Sequence, residues 1–291
     1  MNREIATPSR TKEILQRYGF TLKKSLGQNF IMDTNILQIM VEAADLDQDT
    51  LVIEVGPGIG ALTEQLAKRA AKVLAFEIDQ RLIPVLEETL SAYPNVKIIH
   101  QDILKADLAA VTKEYLDKYK RLSVAANLPY YITTPVILKF LQAGLPFVRL
   151  VFMMQKEVAE RINAQPGSKA YGSLSILTQY YSQPRLEKIV PRTVFVPPPN
   201  VDSAIVSLTP RTTPPVKVLD EAFFFRVVKA CFHQRRKTLY NNLIHALLGK
   251  ENREVLTRIL EELKLDGTRR GETLTIEEFA RLTNALYSHV K

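Results

Sequence analysis

The chain has 291 residues, with 39 Lys and Arg against 31 Asp and Glu, a formal charge of +8. Its 46% hydrophobic and 24% charged content excludes wholesale disorder, and no apolar run nears the ~20 residues of a membrane span. The single Cys231 excludes an internal disulfide, and four scattered histidines with no His-x-x-x-His pair argue against a metal site.

Residues 1–30 form a basic lead-in of net charge +4, with no apolar core of a secretory signal, so the expected location is cytoplasmic. Residues 31–208 carry −1 and residues 209–291 carry +5. A neutral body with basic ends predicts a polyanion docked at the ends. Five short apolar runs rich in β-branched residues follow the lead-in, at 51–55, 72–78, 96–100, 122–126 and 148–154. They fit buried strands. Helical spacing fills 60–70, 80–92, 107–119 and 133–143 between them. This alternation predicts an α/β fold, a mostly parallel sheet with helices on both faces. Two more runs, 186–190 and 202–208, close this part; the second alternates with period two and predicts an antiparallel edge. Prolines and threonines over 209–215 read as a linker. Beyond it, 219–248, 251–263 and 275–290 show helical spacing, and Thr275 with Glu278 makes a capping box. The predicted division is an α/β domain over 1–209 and a small all-helical domain over 210–291.

The loop Gly56-Pro57-Gly58-Ile59-Gly60 follows the first strand and opens a helix. Glycines here let the backbone turn tightly and approach a ligand. Glu77 ends the second strand, where an acid suits a ribose diol, so nicotinamide binding is one reading. Three details favour S-adenosylmethionine: Glu54 two residues before the loop, glycines at every second position, and Asp102 after the third strand, placed for an adenine amine. In that reading Gly56 meets the methionine part and Glu77 the ribose.

Asn127-Leu128-Pro129-Tyr130 stands at the end of the fourth strand. An adenine exocyclic amine is a poor nucleophile, because its lone pair is delocalised into the ring. The Asn127 side-chain oxygen and the Leu128 carbonyl are spaced to accept its two hydrogens and turn that lone pair outward. Pro129 stiffens the loop, and Tyr130 offers a face on which a flipped base stacks. Residues 222–243 read as one amphipathic helix with Arg226, Lys229, His233, Arg236 and Lys237 on one face and no acid from 222 to 250. Such a face suits a phosphate backbone. Phe195, by composition an ordinary core aromatic, precedes a stiff Pro197-Pro198-Pro199 run.

Seven segments in order resemble the KsgA family of small-subunit (16S) rRNA adenine dimethyltransferases. They are Leu26 to Phe30, Glu54 to Gly60, Glu77, Asp102, Asn127 to Tyr130, and two later ones: Phe195 with Pro197, Pro199, Val201, Asp202 and Ser203, and Gln234 to Leu239. The resemblance implies a Rossmann-like methyltransferase fold with S-adenosylmethionine as methyl donor. It implies that Asn29 and Ile31 line the cofactor site with Gly56, Gly58, Gly60, Glu77, Asp102 and Asn127. Phe195 would stack on the target base opposite Tyr130, and Arg226, Lys229, Arg235, Arg236 and Lys237 would bind RNA. The implied target is two adjacent adenosines in a hairpin loop near the 3′ end of 16S rRNA in the small ribosomal subunit, with a part in subunit biogenesis. A monomer with no metal is expected. The alternatives are a large-subunit rRNA methyltransferase of the macrolide-resistance type, which the longer helical domain disfavours, and a non-catalytic assembly factor, which the intact Asn127 and Tyr130 disfavour.

Overall fold

The computed structural model of the chain describes residues 4–19 and 29–289. The chain divides into two units, Met1–Ala159 with Gln183–Pro210, and Glu160–Ser182 with Arg211–Lys291. Pro8 opens α1 (Pro8–Arg17), a position where a missing N–H costs nothing. This helix lies within the lead-in and escaped the sequence reading. A two-residue strand, β1 (Phe30–Ile31), follows. Asp33 caps α2 (Thr34–Ala43) by accepting from the Asn35 and Ile36 amides. Four strand–helix pairs come next: β2 (Thr50–Val55) with α3 (Ala61–Ala67), β3 (Lys72–Glu77) with α4 (Ile83–Thr89), β4 (Val96–His100) with α5 (Leu108–Leu116), and β5 (Arg121–Asn127) with α6 (Thr133–Leu141). β6 (Phe147–Gln155) runs into α7 (Lys156–Asn163), and α8 (Ser173–Tyr181) runs into β7 (Ser182–Val190). β8 (Phe195–Val196) and β9 (Ser203–Pro210) follow.

One sheet has the order β4-β3-β2-β5-β6-β9-β7, and β1 pairs with β8 in a separate antiparallel ladder. From β4 to β6 all neighbours are parallel, and β9 is antiparallel to β6. Every residue of β2 is buried, which is why its sequence is a continuous apolar run rather than an alternating one. The edge predicted for 202–208 is corrected: β9 is antiparallel but lies between β6 and β7, with its first six residues buried. Its serines and threonine alternate with aliphatics and mimic a half-exposed strand, yet Ser203 and Ser207 are both inside.

The lead-in is held on this unit by specific bonds. The buried Glu64 carboxylate accepts from the Ile5 amide at 2.9 Å and from the Tyr93 hydroxyl at 3.1 Å. Arg17 pairs with Glu88 at 2.6 Å, while Arg10 pairs within α1 itself, with Glu13 at 2.8 Å. Lys23, Lys24 and the Leu26-Gly27-Gln28 part of the first motif lie outside the described residues.

The second unit contains α9 (Glu221–Cys231), α10 (Leu239–Leu243), which passes into one π-helical turn at 244–248, α11 (Arg253–Glu262) and α12 (Ile276–Tyr287). Thr275 and Glu278 form the capping box at the start of α12. Two sequence expectations are corrected here. Residues 160–182 belong with the C-terminal helices, because Ala164, Tyr171, Ile176 and Tyr180 share a core with Phe224, Val227 and Leu243. The helix expected over 222–243 breaks at Cys231. The Asn242 side chain accepts from the Gln234 amide and donates to the Cys231 and Gln234 carbonyls, while Thr238 caps α10. Gly271 packs so close that a Cβ there would lie 2.7 Å from the Cys231 carbonyl oxygen. Among the described residues no helix is long and apolar enough to cross a membrane.

Candidate active site

The strand register gathers the polar groups. Glu54 on β2 pairs with Ala75 on β3 and Ala125 on β5, and Glu77 and Asn127 lie two residues further along. Paired residues share a sheet face, and so do residues two apart, so Glu54, Glu77 and Asn127 project from one face at the carboxyl ends of three parallel strands. A cavity of about 330 Å³ opens there. Of the residues named from sequence it is lined by Asn29, Ile31, Gly56, Gly58, Glu77, Asp102, Asn127, Leu128, Pro129, Tyr130 and Phe195. Gly60 is not among them; it stands at the N-cap of α3 with a φ of 91°. Phe30, Glu54 and Tyr131 also line the cavity; from sequence Glu54 served only as a pointer to the cofactor, and Phe30 and Tyr131 had no assigned role. Glu54 and Phe30 both lie in segments that carry the family resemblance, but only Glu54, an acid beside the loop, gave a chemical signal of its own.

The glycine loop packs closely against β1. Gly58 has a φ of +61°, and a Cβ on it would come within 3.2 Å of the Phe30 ring. β1 is fixed in turn by β8, where Phe30 faces Val196 and Ile31 faces Phe195. Two motifs far apart in sequence, Asn29 and Phe195, thereby reach the same cavity. Phe195 is also part of the hydrophobic core, so its ring is both core and cavity wall.

Three carboxyl groups edge the cavity. Glu77 accepts from the Asp79 amide at 2.8 Å and from the Gly58 amide at 3.4 Å. Burial still holds its pKa above the usual carboxylate range. Glu54 is 1% exposed, and its Oε2 has no hydrogen-bond partner among the described residues. Burial pushes its pKa up to about 8; the nearby Thr63 hydroxyl opposes the rise and the Glu77 charge adds to it. Asp102 accepts from the Leu104 amide at 2.9 Å, in the turn beyond β4.

The Asn127 amide nitrogen donates to the Asn29 carbonyl at 3.4 Å, which leaves Oδ1 as the acceptor of a side chain that lines the cavity. The Leu128 amide donates to the Met153 carbonyl at 3.0 Å and anchors the loop to β6. Pro129 starts a single 3₁₀ turn over Tyr130–Ile132, and the Thr133 hydroxyl donates to its carbonyl. The Tyr130 hydroxyl lies 3.1 Å from the Ser203 Oγ.

The basic residues named from sequence belong to the helical unit. Arg226 and Lys229 are exposed on α9 and share its face. Arg235, Arg236 and Lys237 are exposed in the turn after it, so the single-face spacing holds only for the first pair. Arg235 donates to the Lys169 carbonyl and pairs with Glu272 at 3.4 Å.

An acid-flanked glycine loop, acids at the next two strand ends and a cavity between them, on this sheet order, define a Rossmann-like methyltransferase. The family model for ribosomal RNA adenine dimethylase matches residues 19–282, and the chain belongs to that family. It is an rRNA adenine dimethyltransferase with S-adenosylmethionine as methyl donor. It is 60% identical over 287 residues to Ribosomal RNA small subunit methyltransferase A of Geobacillus sp. (strain WCH70), covering 98% of this chain and 99% of that one. The protein of the same name in Enterococcus faecalis is 59% identical over 286 residues, covering 98% and 97%. Among solved structures, a dimethyladenosine transferase from Plasmodium falciparum matches with TM-score 0.74 at 27% identity, covering 89% of this chain and 97% of that one. The 23S rRNA methyltransferase ErmE matches with TM-score 0.68 at 27% identity, covering 89% and 100%.

Proposed function

We propose that this enzyme dimethylates the N6 amines of two adjacent adenosines in a hairpin loop near the 3′ end of 16S rRNA, within the small ribosomal subunit, and serves the biogenesis of that subunit. The observation that carries the chemistry is Asn127 Oδ1, freed by the amide's bond to Asn29, in the same cavity as Glu77 and Asp102. The names of relatives near 60% identity support the small-subunit target.

The cavity fits the cofactor: two glycines without Cβ atoms, the buried Glu77 for a diol, the half-buried Asp102 for an amine, and an unpartnered Glu54 oxygen that would face a cationic ligand. Gly56, Gly58 and Gly60 shape the loop around it, Glu77 takes the ribose hydroxyls, Asp102 the adenine amine, and Asn29, Ile31 and Asn127 complete its walls. When bound, S-adenosylmethionine supplies an electrophilic sulfonium methyl. Asn127 Oδ1 and the Leu128 carbonyl accept the target amine's hydrogens and aim its lone pair. Tyr130 and Phe195 hold the base between them. The work is alignment, and the methylated amine loses its proton to water, so no side chain has to act as a strong base. Arg226, Lys229, Arg235, Arg236 and Lys237 contact RNA phosphates. The protein acts as a monomer in the cytoplasm and needs no metal.

The test offers labelled S-adenosylmethionine with unmethylated small subunits, naked rRNA, large subunits and DNA. Label is expected in small-subunit RNA. ErmE matches the fold nearly as well as the dimethyladenosine transferase, so label chiefly in large-subunit RNA would reverse the choice of target.

A further inference from the structure

The motif after Phe195 ends in Asp202-Ser203, residues to which the chemistry above assigns no role. Ser203 is the first residue of β9 and is 1% exposed. It faces Gln155 across the β6–β9 ladder, while Asn127 faces Met153 of the same β6, and Met153 faces Ile205. Ser203 lies two residues before Ile205, so its side chain shares the sheet face of Asn127. Because β9 runs antiparallel, its first residue falls at the edge where the parallel strands end. Its Oγ meets the Tyr130 hydroxyl at 3.1 Å, across 73 positions of sequence.

The neighbouring Asp202 pins this end of β9. Its carbonyl accepts from the Lys156 amide at 3.0 Å, and its Oδ1 accepts from the Arg192 amide at 3.0 Å. β6 therefore serves as a common ruler. Asn127 and Leu128 are tied to it through Met153, and Tyr130 is tied to it through Ser203. Burial raises the Tyr130 pKa, Ser203 opposes the rise and Asp202 adds to it, so Tyr130 remains a neutral phenol able to hold this bond.

We infer that Ser203 is a positioning residue for methyl transfer: through the Tyr130 hydroxyl it fixes the plane of the ring on which the target adenine stacks, relative to Asn127 and Leu128. The inference rests on the functional reading above and deepens it, because it bears most on the second transfer. The unmethylated amine has two hydrogens, one for each acceptor. After one methylation it has a single hydrogen, and one acceptor loses its partner. The base is then held more by stacking, so a loosened Tyr130 ring harms the second transfer more than the first.

Ser203→Ala, Tyr130→Phe and the double variant decide it, assayed on whichever acceptor the wild-type enzyme labels. Each single variant is expected to bind S-adenosylmethionine within about twofold of wild type and to lose roughly tenfold or more in kcat, with little change in acceptor KM. Nuclease digests are expected to show a raised share of N6-monomethyladenosine over the dimethyl product, which a general loss of stability would not produce. The double variant is expected to be no worse than either single one, because both remove the same bond. An unchanged product ratio in both single variants, or losses that multiply in the double, would overturn the inference. Should Ser203→Ala fail to bind cofactor, Tyr130→Phe alone decides, since it keeps the ring and loses only the hydroxyl. Failure of the functional reading looks different: wild-type enzyme itself leaves small-subunit RNA unlabelled.

Discussion

Glu54 holds a carboxyl where water does not reach, with one oxygen unpartnered, beside a second buried acid. Its pKa is near 4.5 in the unfolded chain and about 8 in the cofactor-free fold. Between those values the unfolded carboxyl has released its proton while the folded one keeps it. Stability conferred by the neutral acid is thus whole below pH 4.5, falls as pH rises, and is lost by pH 8. The penalty at pH 7 is on the order of 3 kcal/mol. Glu54→Gln keeps the shape and removes the ionisation. In urea unfolding without cofactor it should match wild type near pH 4.5 and gain stability steadily toward pH 8. Glu77 shifts in the same direction but is present in both proteins, so the difference between the two curves isolates Glu54. Parallel curves would show that the carboxyl is not desolvated. The acids at the strand ends were legible in sequence, because an acid just past an apolar run stands out. The protonation state of Glu54 was not, since that depends first on burial by the folded chain and then on Thr63 and Glu77 arriving from other elements.

β1 and β8 have two residues each and no periodicity, so neither could be read from sequence, yet they join the Asn29 and Phe195 ends of the cavity. The parallel strands were readable, because burial on both faces writes a continuous apolar run. The break after Cys231 was not, because the apolar spacing runs on from Val228 and Cys231 to Leu239 and Leu243 while Asn242 folds the backbone back. The reliance on β1 makes Gly58→Ala informative. An alanine at a φ of +61° costs about 1–2 kcal/mol, and its Cβ would press on the Phe30 ring from 3.2 Å. The push passes along β1 to its neighbours in the cavity wall. Calorimetric titration is expected to show S-adenosylmethionine affinity reduced roughly tenfold or more, while the melting temperature drops only a few degrees. Wild-type affinity in a chain with a lowered melting point would mean that the loop and β1 move independently.

At the scale of the molecule, the +8 is divided between a lead-in of +4, a body of −1 and a C-terminal segment of +5. The two basic ends are not equivalent in structure. In the lead-in, Arg17 and Arg10 are paired with Glu88 and Glu13. In the helical unit, Arg236 and Lys237 stand exposed in the turn after α9, close in sequence to the exposed Lys229 and Arg226. Arg235 of the same turn bonds to Glu272 and to the Lys169 carbonyl, so part of its role is to hold the turn. Counterion release ties each phosphate contact to about 0.9 in the slope of log affinity against log salt. Replacing Arg236 and Lys237 together with Gln is therefore expected to flatten that slope by about 1–2 and to weaken binding to all RNAs alike. Replacing Arg10 and Arg17 with Gln is expected to leave the slope nearly unchanged and to lower the melting temperature slightly, because it removes surface ion pairs. Filter binding of rRNA at several salt concentrations separates these outcomes. A larger change of slope from the lead-in pair than from the turn pair would move the phosphate contact to the other end of the chain.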